Sequence, residues 1–325
     1  MSAVFYGVAG EGFGHSSRAH LIGQWLLEAG HEVIFLASNK SFRYLNRVFP
    51  GRVIKTCGPS FVYSENRVSL SRTFFHNLRQ FPEFLNSAFS RELRSFRPEL
   101  VISDFEPVSA LWAKLNRIPC ISIDHEHLLS NAFYQDPEIS GFVRYLSRKV
   151  TEKYLAEPDT YIILNFFRAE VRNSKTLIAP PVVRTQLLNL EPSAQDHIIC
   201  YATSETILDS FMKTLPRIRD QKFFIYGTNE DRTVKNCIFK SASTEGFLKD
   251  LSTCRGIIAT GGFSLISECL HLRKKMLLIP IQNQYEQMIN AVNMKRLSLG
   301  QYSANINSKY CLMKYFYLIT MQYLI

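Results

Sequence analysis

Short apolar runs alternate with longer amphipathic stretches along almost the whole chain. In the first half the runs AVFYGVAG (3–10), EVIFLA (32–37), RVIKTCG (52–58), ELVISD (99–104), CISID (120–124) and TYIILNF (160–166) predict strands. They are unbroken, often β-branched and bounded by Gly, Pro, Asp or Asn, as strands buried on both faces should be. Residues 16–29 and 107–116 have helical spacing between them. A break follows, in which TLIAPPVV (176–183) leads to the polar, proline-bearing LEPSAQDH (190–197). The pattern then restarts with IICYAT (198–203), KFFIYG (222–227), NCIFKSA (236–242), GIIATGG (256–262) and KMLLIPI (275–281). Strand–helix–strand order of this kind predicts α/β architecture: two Rossmann-like domains, residues 1–190 and 191–325, each on a parallel sheet, with an interdomain cleft. Ligands of such sheets bind beyond the carboxyl ends of the strands, so the loops there should carry the chemistry.

Composition narrows the class. With 325 residues, 46% hydrophobic and 20% charged, the chain suits two ordered globular domains. No run of about twenty apolar residues predicts a membrane span, and the first residues show no signal-peptide pattern. The seven cysteines are scattered without a close pair, which fits a reducing cytoplasm and neither a zinc site nor a disulfide framework. The net charge of +10 divides evenly, +5 in residues 1–190 and +5 in residues 191–325. Without a long basic block, nucleic acid is not the expected partner; anionic nucleotides or an anionic membrane surface are.

Two loops stand out. GEGFGHSSR (10–18) ends the first strand and opens the first helix. Gly10, Gly12 and Gly14 permit a tight turn and close backbone approach, and the helix N-terminus behind them favours an anion. The spacing is not G-x-G-x-x-G, and the second strand ends in Ala37-Ser38-Asn39 without an acidic residue, which argues against a dinucleotide site. His15 follows the last glycine and is a candidate general base; the alternative is a helix cap or loop histidine. The second loop system is TGGFSLISECL (260–270) with LLIPIQNQYEQMINA (277–291). Gly261, Gly262, Phe263 and Ser264 start a helix suited to a diphosphate. Glu268 lies one turn on, where its carboxylate can accept from ribose hydroxyls. Gln282, Asn283, Gln284, Glu286 and Gln287 give a dense set of amides and carboxylates for a polyhydroxylated sugar.

Three other features have bland alternatives. Asp104 and Glu106 in DFEP (104–107) could be a metal pair, but Asp104 reads better as a strand-end residue near the chemistry and Glu106 as a cap or acceptor contact. Asp124, His125, Glu126 and His127 have the composition of a metal site, yet consecutive residues point in different directions. Residues 67–97 hold six arginines, two glutamates and six phenylalanines. They form either a basic, aromatic flap facing an acceptor or membrane, or a pair of packed amphipathic helices.

The combination GG-x-S-x-x-x-E with P-x-Q-x-x-x-E-Q-x-x-N-A resembles the donor site of GT-B glycosyltransferases. It is similar to the superfamily of the lipid II-forming N-acetylglucosaminyltransferase. GEGFGHSSR resembles the glycine loop of that group, and DFEP with SIDHEH (122–127) resembles a prokaryotic, often cell-surface-related branch. The resemblance covers about residues 3–300. It implies an inverting, metal-independent transferase without a cofactor, using a nucleotide sugar, a UDP-sugar first, and a glycan or lipid-linked acceptor. His15 would be the base, with Asp104 or Glu106 as the catalytic carboxylates to test in its place. Glu268 would hold the ribose, and Gly262 to Ser264 the diphosphate, with Gly12, Gly14, Thr203 and Gly261 on the donor side. Gln284, Glu286 and Gln287 would meet the sugar, and backbone near Phe247 the base. A cytoplasmic site, peripheral at the inner face of the cell membrane, follows from such acceptors. Two departures matter: YATSET (201–206) replaces a glycine-rich loop, and residues 301–325 do not resemble the usual end of the fold. A nucleotide-sugar epimerase and a non-catalytic binding subunit therefore stay open as alternatives.

Overall fold

A computed structural model of the chain describes all residues except 65–66, 135–140, 203, 229, 242, 304–314 and 316–325. It divides into two compact units: Met1–Tyr63 with Val68–Val182, and Ser64–Arg67 with Val183–Ile325.

The first unit is built on a seven-stranded sheet. Its strands run Thr176–Ala179, Thr160–Leu164, Cys120–Asp124, Leu100–Asp104, Ala3–Val8, Glu32–Ala37 and Val53–Lys55 across the sheet. Every neighbouring pair is parallel. Alternation along the first strand explains its unbroken apolar run. Val4, Tyr6 and Val8 pack on one face with Ala19, Phe35 and Leu45, and Phe5 packs on the other with Val101, Val108 and Trp112. The two central strands stop together, Val8 in register with Asp104. Their carboxyl ends thus present the loop 9–12 and the DFEP turn side by side.

Local chemistry fixes the helices that follow. Gly12 caps the helix Phe13–Glu28 at φ 77°, a left-handed backbone that a side chain would strain. Glu106 caps the helix Pro107–Asn116. Its carboxylate accepts from the N–H groups of Val108 (3.2 Å) and Ser109 (2.6 Å), and Pro107 fills the first position, where no N–H is needed. Glu106 is buried, and the cap is one of the two roles its position suggested. Within residues 67–97 lie two helices, Leu70–Ala88 and Arg91–Ser95, after the short strand Arg67–Val68.

The second unit repeats the plan. Its strands run Arg232–Val234, Cys237–Phe239, Lys222–Tyr226, His197–Tyr201, Gly256–Ala259, Lys275–Leu278 and Gln301–Tyr302. All pairs are parallel except the edge pair Arg232–Val234 with Cys237–Phe239. Ile198, Cys200, Phe211, Phe223, Ile225 and Ile258 form its core. Tyr315 is buried in the same core, its hydroxyl donating to the carbonyls of Ile257 (2.8 Å) and Lys275 (3.1 Å).

The division falls earlier than the sequence break suggested. Thr176–Ala179 is an edge strand of the first sheet, and the helix Thr185–Leu188 belongs to the second unit. The stretch expected as a linker is pinned to that unit. Ser193 and Gln195 donate backbone N–H groups to the carbonyls of Ser252 and Thr253, and the buried Lys274 ammonium donates to the carbonyls of Ser193 (2.6 Å) and Cys254 (2.9 Å). The six cysteines among the described residues are free thiols, five of them buried. Among the described residues no helix is long and apolar enough to cross a membrane.

Candidate active site

In the first unit the chemistry gathers around one carboxylate. Asp104 ends its strand fully buried. His15 lies in the first turn of the helix Phe13–Glu28, and Arg18 three residues on, so both project from one face. His15 Nδ1 is 2.7 Å from Asp104 Oδ1. Arg18 Nε donates to Asp104 Oδ2 at 2.7 Å, and its Nη2 donates to Oδ1, a two-pronged guanidinium–carboxylate pair. Burying a lone carboxylate would cost several kcal/mol, so the pair is what lets Asp104 sit at the end of a core strand. Sequence reasoning named His15 and Asp104 but missed Arg18. Its signal was the i+3 spacing to His15 inside GEGFGHSSR.

The second imidazole nitrogen is also occupied. Glu126 Oε1 lies 3.2 Å from His15 Nε2. Burial opposes a charge on His15, but the Glu126 and Asp104 carboxylates outweigh it and raise its pKa from 6.5 to about 10. Burial pushes the Glu126 carboxyl up, yet His15, Arg18 and His125 more than reverse this and hold it well below the usual range. The rest of the DHEH segment diverges, as expected of consecutive residues. The Asp124 carboxylate takes the N–H of His127 at 2.9 Å and lies 2.6 Å from His127 Nδ1, while His125 Nδ1 donates to the Leu164 carbonyl at 2.7 Å. Donor atoms of His15, Asp104 and Glu126 fall within 4.8 Å of one another. Arg18 already donates to both oxygens of Asp104.

In the second unit the helix Phe263–His271 starts at Gly262, which brings no capping side chain to its first N–H groups. Such an end attracts an anion. Gly261 must be glycine, because a Cβ there would overlap the Gln287 carbonyl oxygen. Asn290 donates to the Gly261 carbonyl at 3.0 Å and to Glu286 Oε1 at 3.3 Å, tying the helix Tyr285–Arg296 to the loop. Gln284 is the N-cap residue of that helix. The Gln287 Oε1 accepts from the Ile281 N–H at 3.0 Å. It is buried and braces the loop through this bond.

Glu268 is buried and already partnered. Arg184 donates to both its oxygens, Nε at 2.6 Å and Nη2 at 2.7 Å. The same guanidinium stands 5.8 Å from the ring centre of Phe247, whose edge packs against Tyr201 and Tyr226. Glu268, Phe247 and the Gly262 helix end therefore belong to one unit, and Arg184 joins Glu268 to the Phe247 ring. Arg184 was missed because 84 residues separate it from its partner. Gly14 lies inside the first helix rather than in a glycine turn. Thr203 lies outside the described residues, and Ser204 caps the helix Glu205–Thr214 by accepting from the Ile207 N–H.

Two Rossmann-like units, one holding a histidine–carboxylate pair and the other a helix end open to an anion, define a two-domain transferase of the GT-B kind. The chain belongs to glycosyl transferase family 1, whose model matches residues 2–319, and it is a glycosyltransferase. It is 24% identical over 326 residues to a protein of Methanosarcina acetivorans named as an uncharacterized glycosyltransferase, covering 90% of this chain and 83% of that protein. Among solved structures it is similar to the calicheamicin glycosyltransferase CalG4, with TM-score 0.65 and 14% identity over 99% of this chain and 90% of that one. It is likewise similar to the Streptomyces sp. SF2575 glycosyltransferase SsfS6 complexed with thymidine diphosphate, with TM-score 0.62 and 13% identity over 97% and 91%. Family membership favours transfer over the epimerase and binding-subunit alternatives.

The His15 cluster has a measurable consequence. The folded state binds the His15 proton more tightly than the unfolded state, whose value is 6.5. The resulting stabilisation is complete below that value and is lost as pH rises through about 10. The unfolding free energy of the wild type should therefore fall by on the order of a few kcal/mol relative to His15→Gln across that window. Denaturant titrations at stepped pH check this, and parallel curves for the two proteins would refute it.

Proposed function

We propose that this enzyme moves a sugar from a nucleotide sugar, a UDP-sugar first, onto an acceptor hydroxyl with inversion and without a metal ion. The observation that carries the reading is His15 Nδ1 at 2.7 Å from the buried Asp104 carboxylate. A carboxylate so placed fixes the Nδ1–H tautomer and directs Nε2 outward as the base. His15 would take the proton of the acceptor hydroxyl while the oxygen attacks the anomeric carbon. The bond from that carbon to the diphosphate breaks on the opposite side, which inverts the configuration. The Gly262–Ser264 helix end would receive the charge that develops on the diphosphate, as preorganised dipoles do elsewhere. With Asp104 committed to Arg18 and His15, this chemistry needs no cation from outside.

On the donor side, Glu268 would accept from ribose hydroxyls, sharing or exchanging its bonds to Arg184. Backbone near Phe247 would meet the base, and Gln284 and Glu286 the sugar. That SsfS6 was solved with thymidine diphosphate supports a pyrimidine nucleoside diphosphate, and a UDP-sugar and TDP-sugar panel separates the two bases. Glu268→Ala should weaken nucleoside diphosphate binding about 10–100-fold, the scale of one lost charged hydrogen bond. His15→Ala should leave that affinity nearly intact and lower turnover about 10²–10⁴-fold. Isothermal titration with turnover assays on the panel reads both, and a reversed pattern contradicts the assignment.

A lipid-linked acceptor, with a role in cell-envelope glycan synthesis at the inner membrane face, fits one further feature. The helix Leu70–Ala88 exposes Phe74, Phe75, Leu78 and Phe81 to solvent alongside Arg72 and Arg79. Inserted aromatics add apolar burial, and each cation near an anionic leaflet adds about 1 kcal/mol. Co-sedimentation with phosphatidylserine-containing vesicles should be salt-sensitive and weakened by Arg72→Glu with Arg79→Glu. Absence of vesicle binding at low salt would turn the proposal to a soluble acceptor.

A further inference from the structure

Glu126 is the one group of the His15 cluster that neither the fold nor the base role requires. Asp104 needs a cation and has Arg18; the imidazole needs an orienting carboxylate and has Asp104. Yet Glu126 Oε1 stands 3.2 Å from Nε2, the nitrogen that must face a hydroxyl if His15 is to act as a base. Its other oxygen accepts the N–H of His125 at 3.1 Å, so the carboxylate is aimed rather than loosely placed. Its side chain keeps 17% exposure and that of His15 15%, whereas Asp104 has none. The Nε2 side is thus the solvent-facing side of the cluster.

We propose that Glu126 is a positioning residue that holds the outer nitrogen of His15, keeping the imidazole doubly protonated until Glu126 gives way to an acceptor hydroxyl. This rests on the base role of His15 given above. In the resting enzyme Nδ1–H points to Asp104 and Nε2–H to Glu126. As Glu126 leaves, it takes the Nε2 proton and passes it to water, and the now neutral imidazole faces the hydroxyl. The hydroxyl proton moves to Nε2 as its oxygen bonds to the anomeric carbon and the diphosphate departs. His15 is again an imidazolium, ready to pair with Glu126, and one proton per turnover has reached solvent. The base is therefore released only when something takes the place of Glu126. The charged and titratable groups around His15 are Glu11, Arg18, Asp104, His125 and Glu126, with Tyr6 behind Asp104. Of these, Glu126 alone lies at Nε2.

The test uses the full chain with ¹³C-labelled histidine, the His15 signal being assigned by its loss in His15→Gln. Glu126→Gln keeps the shape and removes the charge. The His15 titration should move down by at least about one pH unit in that variant, and Glu126→Asp should restore part of the shift. Hydrolysis of the best panel donor, with water as acceptor, should show the acid limb of its kcat/KM profile moving down by the same amount, because that limb reports the free enzyme. Nucleoside diphosphate affinity should stay unchanged. An unmoved His15 titration in Glu126→Gln overturns the proposal. A titration that moves while the rate profile does not overturns the base role of His15 instead, and separates that failure from this one.

Discussion

The first unit depends on keeping one buried carboxylate in balance. Asp104 must be charged to orient His15, and it must be dry because it ends a central strand of a doubly covered sheet. Those demands conflict unless a cation is built in. Arg18 supplies it from the helix that also carries His15, so one ion pair fixes the helix on the strand and aims the imidazole. The steps around it serve that contact. Val8 and Asp104 end in register, Gly12 turns the chain at a positive φ, and the Glu106 cap starts the next helix immediately beyond the turn. The arrangement settles a buried charge and orients His15 in one stroke.

The second unit repeats the device with a different purpose. Glu268 is buried behind a helix end that attracts anions, and Arg184 neutralises it through two short bonds. A carboxylate held this way is preorganised, and in the donor role proposed for it ribose hydroxyls would replace part of what the guanidinium supplies. The loop beyond it is shaped by backbone contacts rather than loose polar side chains: Gly261 under the Gln287 carbonyl, Asn290 on Gly261, Gln287 on Ile281. Some polar residues that look like a sugar-binding fringe in the sequence thus brace the loop itself.

Much of this was legible in the chain. Strands buried on both faces announce themselves as unbroken β-branched runs, and Cys120–Asp124 coincides with its apolar run at both ends. Thr176–Ala179 escaped because it is a short edge strand running into a proline pair, which reads as a break. Glycine loops and the strand-end position of Asp104 could be read because backbone geometry imposes them locally. Charge pairing could not. Arg18 and Asp104 are 86 residues apart, and Arg184 and Glu268 are 84 apart, so only the fold reveals which charges meet. Consecutive positions already argued that Glu126 and its neighbours point apart, but only the fold shows Glu126 beside His15. The cap formed by Glu106 was legible because Pro107 follows it at the start of a helix.

The central claim is that the Asp104 carboxylate, through His15, makes the first unit reactive without taking part in donor binding. Asp104→Asn tests it most directly, measured as single-turnover sugar transfer alongside isothermal titration of the nucleoside diphosphate. The amide keeps the shape, leaves Arg18 without its countercharge and no longer enforces the Nδ1–H tautomer. The account predicts turnover lower by about 10³–10⁴-fold with nucleotide affinity within a few-fold of wild type. Turnover within about tenfold of wild type would contradict it.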